Sequence, residues 1–424
     1  MRIPLCALCV LCGFSNVLAD PLDTFGFDAR GKAMGNAMTA GTSGIGSAFY
    51  NPAGAALAPA PEIGLGYSYA AMLLSINDRD ARVSSSRGLS LGAALPSRCG
   101  SACTFAVGLA FYLPDQFIAR IQTIPVSEPR FVLLDNDVDR IVINPTLALR
   151  LGPIAVGAGV TLFSDAAGNG IDFTVGGRGG MQVGEAKLDV ALPSRAAPLL
   201  GLLWTPRTDL RVGASFRGQL DLRLRLDIIA HVDIPGGGDT VISIRALNFY
   251  TPRKLSLGVA WDPTDRITLA ADASYYNWAD FSGGVPDLRV LVDLQIAPAL
   301  LQGTFPADRL HDTMTLRAGG EWRRALAPDR MAALRAGLAY EPSPVPDQVL
   351  LTSLADNDRF VVSLGAGLQL ARIAGFLDKP LALDAALEWH ALIGRTAQKL
   401  DPALPSFSSA GSIVHLALTA TASF

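Results

Sequence analysis

The side chains best able to do chemistry in this sequence are charged ones, set two residues apart among apolar neighbours. Between Asp209 and Asp227, Arg211, Ser215, Arg217, Gln219, Asp221, Arg223 and Arg225 take one parity, and Leu210, Val212, Ala214, Phe216, Leu220, Leu222 and Leu224 take the other. Arg150, Asp272, Arg317, Glu321 and Arg335 stand in the same way in segments of their own, as do Asp384, Glu388 and His390. A guanidinium fork suits a carboxylate head group. The same arginines set against Asp272, Glu321, Asp384 and Glu388 would equally form an ion-pair network, so both readings stand. Catalysis has less to work with. His231 and His311 fall in or beside loops, and His390 and His415 are expected to end strands at an outer rim. Neither a G-x-S-x-G elbow nor a metal-type histidine spacing accompanies them, so no catalytic residue, metal site or cofactor is expected.

A period of two belongs to strands with unlike faces. The final stretch GSIVHLALTATASF shows it: Val414, Leu416, Leu418, Ala420, Ala422 and Phe424 alternate with His415, Thr419, Thr421 and Ser423. Fourteen such segments follow residue 60, among them 62–72, 104–114, 139–151, 209–226, 266–278, 311–324, 330–341 and 411–424. Their connections alternate in length. Turns such as SRCGSAC, GP, PRT, PTD and ALAPD alternate with loops at 115–138, 164–195, 227–251, 279–310, 342–358 and 392–410. Short turns on one side and long loops on the other are the plan of an all-β, transmembrane, antiparallel β-barrel. An arginine facing lipid near mid-bilayer costs about 2–4 kcal/mol, so the charged parity must line the interior. Trp204, Trp261 and Trp322 at short-turn ends, and Trp278 and Trp389 at long-loop ends, read as interfacial girdles, joined by Tyr112, Tyr275, Tyr276 and Tyr340.

Half of the 424 residues are hydrophobic and 42 are glycine, yet no apolar run is long enough for a membrane-spanning helix. The formal charge of -3 offers nothing to a nucleic acid. Residues 1–19 read as a secretory signal, with Arg2, an apolar stretch from Ile3 to Phe14, and small side chains at Val17 and Ala19. Three of the five cysteines leave with it. Cys99 and Cys103 sit in a tight turn, and export to an oxidising compartment makes a disulfide between them the expected state.

Residues 20–60 have no strand period and are rich in Gly, Ala and Ser, whereas 61–424 form the barrel. A lumen of fourteen strands is too wide for its own side chains to fill, so this small-residue segment is suited to plug it. Its ARGKAMGNAMTA followed by AFYNPAGAAL resembles the N-terminal hatch of the FadL family of outer-membrane transporters for long-chain fatty acids and other hydrophobic compounds, also known by OmpP1 and TodX. LSLGVAWDPTDRITLAADASYYNWADF and RAGLAYEPSPVPDQVLLTSLADNDRFVVSLGAG look like further parts of that family, and the terminal Phe fits it. The chain departs from the pattern at Thr42, Ser43 and Gly44, where many relatives carry an acidic pair.

The resemblance implies a barrel of the Gram-negative outer membrane, handled by the barrel assembly machinery, embedded in outer-membrane lipids and acting as a monomer. Gly35, Asn51, Pro52 and Ala53 would belong to the hatch. Ser343, Pro344, Val345, Pro346 and Asp347, with Asp356 and Arg359 available for ion pairing, would make a rigid external cap. Two long loops are greasy. Ile228, Ile229, Leu291, Leu294, Leu300 and Leu301 either pack on one another or form a capture groove for a hydrophobic ligand, and the resemblance favours the groove. Relatives open laterally beside a kinked early strand, and Gly108 is the candidate for such a kink here. The function implied is passive uptake of a fatty acid or an aromatic hydrocarbon. A binding barrel or adhesin without transport, and an aqueous porin, are the alternatives.

Overall fold

The computed structural model describes residues 21–115, 128–134, 141–164, 171–176, 182–190, 195–231, 239–281, 287–294, 297–303, 309–371 and 379–424. The expected signal at 1–19 lies outside them. Fourteen antiparallel strands close into a barrel: β1 Glu62–Ile76, β2 Ser86–Arg98, β3 Cys103–Pro114, β4 Ile141–Leu151, β5 Ile154–Ser164, β6 Arg195–Arg207 and β7 Leu210–Arg217. The second half is β8 Lys254–Thr264, β9 Ile267–Tyr276, β10 Thr313–Ala327, β11 Arg330–Glu341, β12 Arg359–Leu370, β13 Leu381–Ala397 and β14 Phe407–Ser423. Closure runs through β1, where Glu62 lies opposite Ala94 of β2 on one side and Ser423 of β14 on the other. A closed ladder leaves no unpaired backbone facing hydrocarbon, which an open sheet could not avoid.

The strand faces sort as the period of two requires. Leu147, Leu257, Leu338, Leu364 and Leu418 point outward and are more than half exposed, while Thr315, Arg335, Ser363 and Glu388 point inward and are buried. Such an outer face is unfavourable in water at about 25 cal/mol per Å² of apolar surface, and lipid removes that cost. Trp204, Trp261, Trp322 and Trp389 all lie on the outer face. Trp389 is not at a strand end, because β13 runs eight residues past it to Ala397. Trp278 and Tyr112 correct the girdle expectation outright. Trp278 is buried in a 3-10 turn after β9 against Tyr250 and Phe281, and Tyr112 and Tyr276 are on the inner face.

The segment expected as one strand over 209–226 is two. β7 stops at Arg217, Gly218 donates its N–H to Pro198 O at 2.9 Å, and extended structure resumes at Leu220 in a different sheet. Leu220, expected on the lipid side, is buried inside with Leu22, Phe49 and Tyr112. The second sheet has six strands, Ile171–Gly176, Gln182–Val190, Leu220–His231, Asp239–Thr251, Asp287–Leu294 and Ala297–Gly303, pairing in chain order. They are the long loops after β5, β7 and β9, and they stand in the same order as β5 to β10. This outer sheet therefore follows the order of six of the fourteen wall strands.

Residues 22–58 are almost entirely buried and fold as short turns. Asp28 caps a helix over Ala29–Ala33, its Oδ1 accepting from Gly31 N at 2.7 Å. Left-handed backbone at Gly35 (φ +62°) and Asn36 (φ +59°) ends it. Further turns follow at Ser47–Tyr50 and Pro52–Leu57. Cys99 and Cys103 are disulfide-bonded in the turn between β2 and β3.

Candidate functional site

The N-terminal segment meets every strand of the wall. Gly44–Gly46, Ser47–Tyr50 and Pro52–Leu57 contact β1 to β6, and Ala29–Ala33 contacts β11 to β14. Asn51 reaches β7, Asp23 approaches Lys254 of β8 to 4.0 Å, Thr39 N donates to Asp272 of β9 at 2.8 Å, and Arg30 pairs with Glu321 of β10. The contact is close enough to demand glycine. A Cβ on Gly337 would lie 2.1 Å from Gly35 N, and one on Gly319 would lie 2.2 Å from Met34 O. Gly35 itself packs against Leu338 and Ala318 of the wall.

Asn51 is completely buried. Its Nδ2 donates to Thr39 O at 2.8 Å, Leu202 O at 3.1 Å and Ala214 O at 3.3 Å, and its Oδ1 accepts from Ala53 N at 3.2 Å. One amide thus joins its own turn to β6 and β7. Pro52 follows at the first turn position, where its missing N–H leaves no bond unmade.

On the short-turn side the seam is ionic. Glu321 sits between Arg30, at 3.0 Å, and Arg335, at 2.6 Å, and Arg335 also holds Asp384 at 2.6 Å. These groups line a space of about 310 Å³ together with Asp28, Glu62, Thr419 and Thr421. Lys32 is buried nearby, and that burial pulls its ammonium pKa down to about 8 against the favourable charge of Glu388. Among the inward groups singled out from the sequence, Glu321 and Arg335 come together. Arg317 goes elsewhere, to Glu341 at 2.8 Å, and Arg211 pairs with Asp262 at 3.0 Å near the short turns. Asp272 takes the Thr39 amide rather than an arginine, and Arg150 donates to Gly152 O of its own turn.

His390 and His415 are not at the rim as expected. Both are buried mid-strand: His415 Nδ1 lies 2.5 Å from Glu388 Oε2, whose other oxygen accepts from Asn36 Nδ2, and Phe25 packs against both imidazoles. Among the described residues, no group of His, Cys, Asp and Glu is placed to hold a metal ion.

On the long-loop side the lumen is closed by apolar packing. Tyr250, Tyr276, Trp278, Phe281, Val345 and Leu354 form one cluster with Val132 and Leu133, and Phe25, Leu74, Leu392, Phe407 and Ile413 form another with Phe131 and Leu134. The segment around Phe131 is a buried element that sequence reasoning missed; four consecutive apolar residues in a long loop were the signal. In the Ser343–Asp347 motif, Ser343 N donates to Asp358 at 2.8 Å, Pro344 O accepts from His311 N, and Val345 O accepts from Arg395, while Pro346 O accepts from Gln348. Asp347 pairs with Arg395 and Arg359 pairs with Glu341, the partners the sequence had left unnamed.

Ile228, Ile229, Leu291, Leu294, Leu300 and Leu301 lie in the outer sheet, and their side chains are outside the described residues. The ladder does not break at Gly108, which pairs with Ala94 and Thr146 without a shift. It breaks at Asn144–Pro145, where β4 and β5 skip two pairs between Ile143 and Thr146.

The family described as outer membrane protein transport protein (OMPP1/FadL/TodX) matches residues 19–424. No curated protein sequence matches the chain. Its fold resembles that of a Pseudomonas aeruginosa FadL homologue (TM-score 0.59, 16% identity, 97% of this chain and 100% of that one). It also resembles the monoaromatic hydrocarbon channel CymD (TM-score 0.53, 17% identity, 96% and 99%) and the P. putida toluene transporter TodX (0.53, 18%, 94% and 99%). With a closed fourteen-stranded wall, a lipid-facing outer surface and a family match over nearly its whole length, the chain belongs to the OMPP1/FadL/TodX family of outer-membrane transport proteins, which are channels and not enzymes.

Proposed function

We propose that the protein takes hydrophobic small molecules inward across the outer membrane by passive diffusion, with residues 20–60 as a hatch in the barrel of 61–424. The supporting observation is that one segment touches all fourteen strands. A lumen filled in this way has no standing water path, so what passes must bind and shift something. Long-chain fatty acids and monoaromatic hydrocarbons are the two substrate classes, the first from the family resemblance and the second from the channels that share the fold.

Capture falls to the outer sheet. By register, Ile228, Ile242, Val290 and Leu301 form one cross-strand row, and Ile229, Val241, Leu291 and Leu300 the next. The register thus brings the apolar positions of the two loops together in one sheet, which supports the capture reading.

Exit through the wall is favoured at the break between β4 and β5. Val160 of β5 has Pro198 as its partner on one side and faces Pro145, which is in register with β3 but not with β5, on the other, and proline donates no backbone hydrogen bond. Beside it, Asn144 Nδ2 and Oδ1, Thr146 Oγ1 and Thr161 Oγ1 are buried without partners. That strip of wall is held less tightly than its neighbours.

Uptake of labelled toluene and of labelled dodecanoate by cells with and without the protein tests the reading, alongside conductance in planar bilayers. Uptake with no steady conductance is expected. Binding without uptake would leave a receptor, and a steady conductance would leave a porin.

A further inference from the structure

Arg130–Leu134 belongs to no barrel strand. Arg130 N donates to Ser353 O at 3.2 Å and Val132 N to Ala355 O at 3.1 Å, a parallel bridge of two residues to the outer loop after β11. Phe131, Val132, Leu133 and Leu134 are all buried, at 1%, 3%, 6% and 3% exposure. A strand on a surface would expose every second one, and a turn would expose most. Here the two end residues and the two central ones go to different clusters. Phe131 and Leu134 pack with Phe25 and Ile413, deep in the lumen, and Val132 and Leu133 pack with Tyr276, Trp278 and Val345 at its mouth.

Among the described residues, two spaces adjoin the N-terminal segment on this side. One of about 30 Å³ lies beside Asp23, Arg217 and Asp272, and one of about 60 Å³ lies beside Leu133, Arg317 and Arg359. They have room for about one or two waters, and charged groups line both. Neither admits a hydrocarbon, although apolar surface surrounds them.

We infer that Phe131–Leu134 fills the upper-lumen binding site of an apolar ligand, and that the ligand enters by displacing it. This deepens the proposed transport function and rests on it. The segment is bound as a ligand would be, with a continuous apolar surface and few backbone bonds. The ligand is recognised through hydrocarbon rather than through a carboxylate. Arg317 and Arg359, the cations next to Leu133, are already matched by Glu341 at 2.8 Å and 2.7 Å, with Asp356 in the same space.

Displacement can be read at Leu133 itself. In the Leu133→Cys protein in lipid nanodiscs, with the Cys99–Cys103 disulfide intact, a membrane-impermeant maleimide is expected to react slowly. Saturating toluene or dodecanoate, each tried separately, should accelerate the reaction about tenfold or more, as a shift from a closed to an open population requires. Leu133→Ala, which weakens the occupant by truncation, should bind either probe several-fold more tightly than the unaltered protein. If a probe binds while labelling keeps its rate and Leu133→Ala binds no better, the inference is overturned and transport stands. If neither probe binds nor is taken up, the transport reading fails first and the inference with it. Acceleration by dodecanoate alone would overturn recognition through hydrocarbon.

Discussion

The two ends of the lumen are closed by different forces. On the short-turn side, Arg30, Glu321, Arg335 and Asp384 hold the N-terminal segment to β10, β11 and β13 beside a space of about 310 Å³. On the long-loop side, Phe25, Phe131, Leu133 and Trp278 close it with apolar contacts around spaces of about 30 Å³ and 60 Å³. Breaking a buried ion pair is costly, because it leaves an uncompensated charge behind. Apolar contacts are released only when another apolar surface replaces them. Under the proposed function, the outer end is therefore the one a hydrophobic molecule would open, and the inner end the one that would hold the seal.

Four substitutions would break or sharpen that contrast. The largest effect is expected from Gly337→Val, whose new side chain would meet the backbone at Gly35 and Met34, neither of which can turn aside. The segment could not seat, and steady conductance should appear in planar bilayers; a silent barrel would show that the close approach is not needed. Glu321→Ala comes next. It leaves Arg30 and Arg335 facing each other without their shared carboxylate, at roughly 3–5 kcal/mol for breaking a buried pair. Conductance bursts and faster protease cleavage within residues 28–46 should follow, and a tight seal would refute an ionic inner closure.

Trp278→Ala tests the other end. Removing a buried tryptophan costs roughly 3 kcal/mol, here spent on mouth packing, so thermal stability should fall while bilayer conductance stays at the level of the unaltered protein. A leak from this change would mean that the mouth, and not the inner seam, makes the seal. Lys32→Met has the smallest effect. Because burial lowers the Lys32 pKa from 10.5 to about 8, the unfolded chain holds a proton that the folded one sheds between those values. Stability should therefore rise with pH across that window. Lys32→Met should flatten the rise and gain stability near pH 7; an unchanged pH slope would show that the lysine is not responsible.

Much of the wall was legible in the chain because a strand in lipid has only two environments. Arg211, Asp272, Arg317 and Glu321 could be assigned to the interior from parity alone. Legibility failed where the environment changes along one run of residues. From Leu210 to Leu226 the alternation never falters, yet the chain crosses from bilayer to loop at Gly218 and its apolar side turns inward at Leu220. Tyr112 and Trp278 were misread for the same reason, since an aromatic at a strand end can face an interface or a packed mouth. At Gly108, read from the sequence as a candidate kink, the ladder runs on without a shift. A glycine in a strand is ambiguous, whereas Pro145 and Pro198 mark the defect only once the register sets them on either side of Val160.

From the residues alone came strand period, closure, membrane face and the presence of a small-residue segment, because each depends on local spacing and on the transfer of side chains between two solvents. Tertiary structure alone decided which arginine meets which carboxylate, as with Arg30 and Glu321, 291 positions apart. It alone set Asn51 under β6 and β7, and it alone put Phe131–Leu134 in the upper lumen. Those pairings depend on where a closed ring of fourteen strands brings distant positions face to face, and no property of a single stretch encodes that distance.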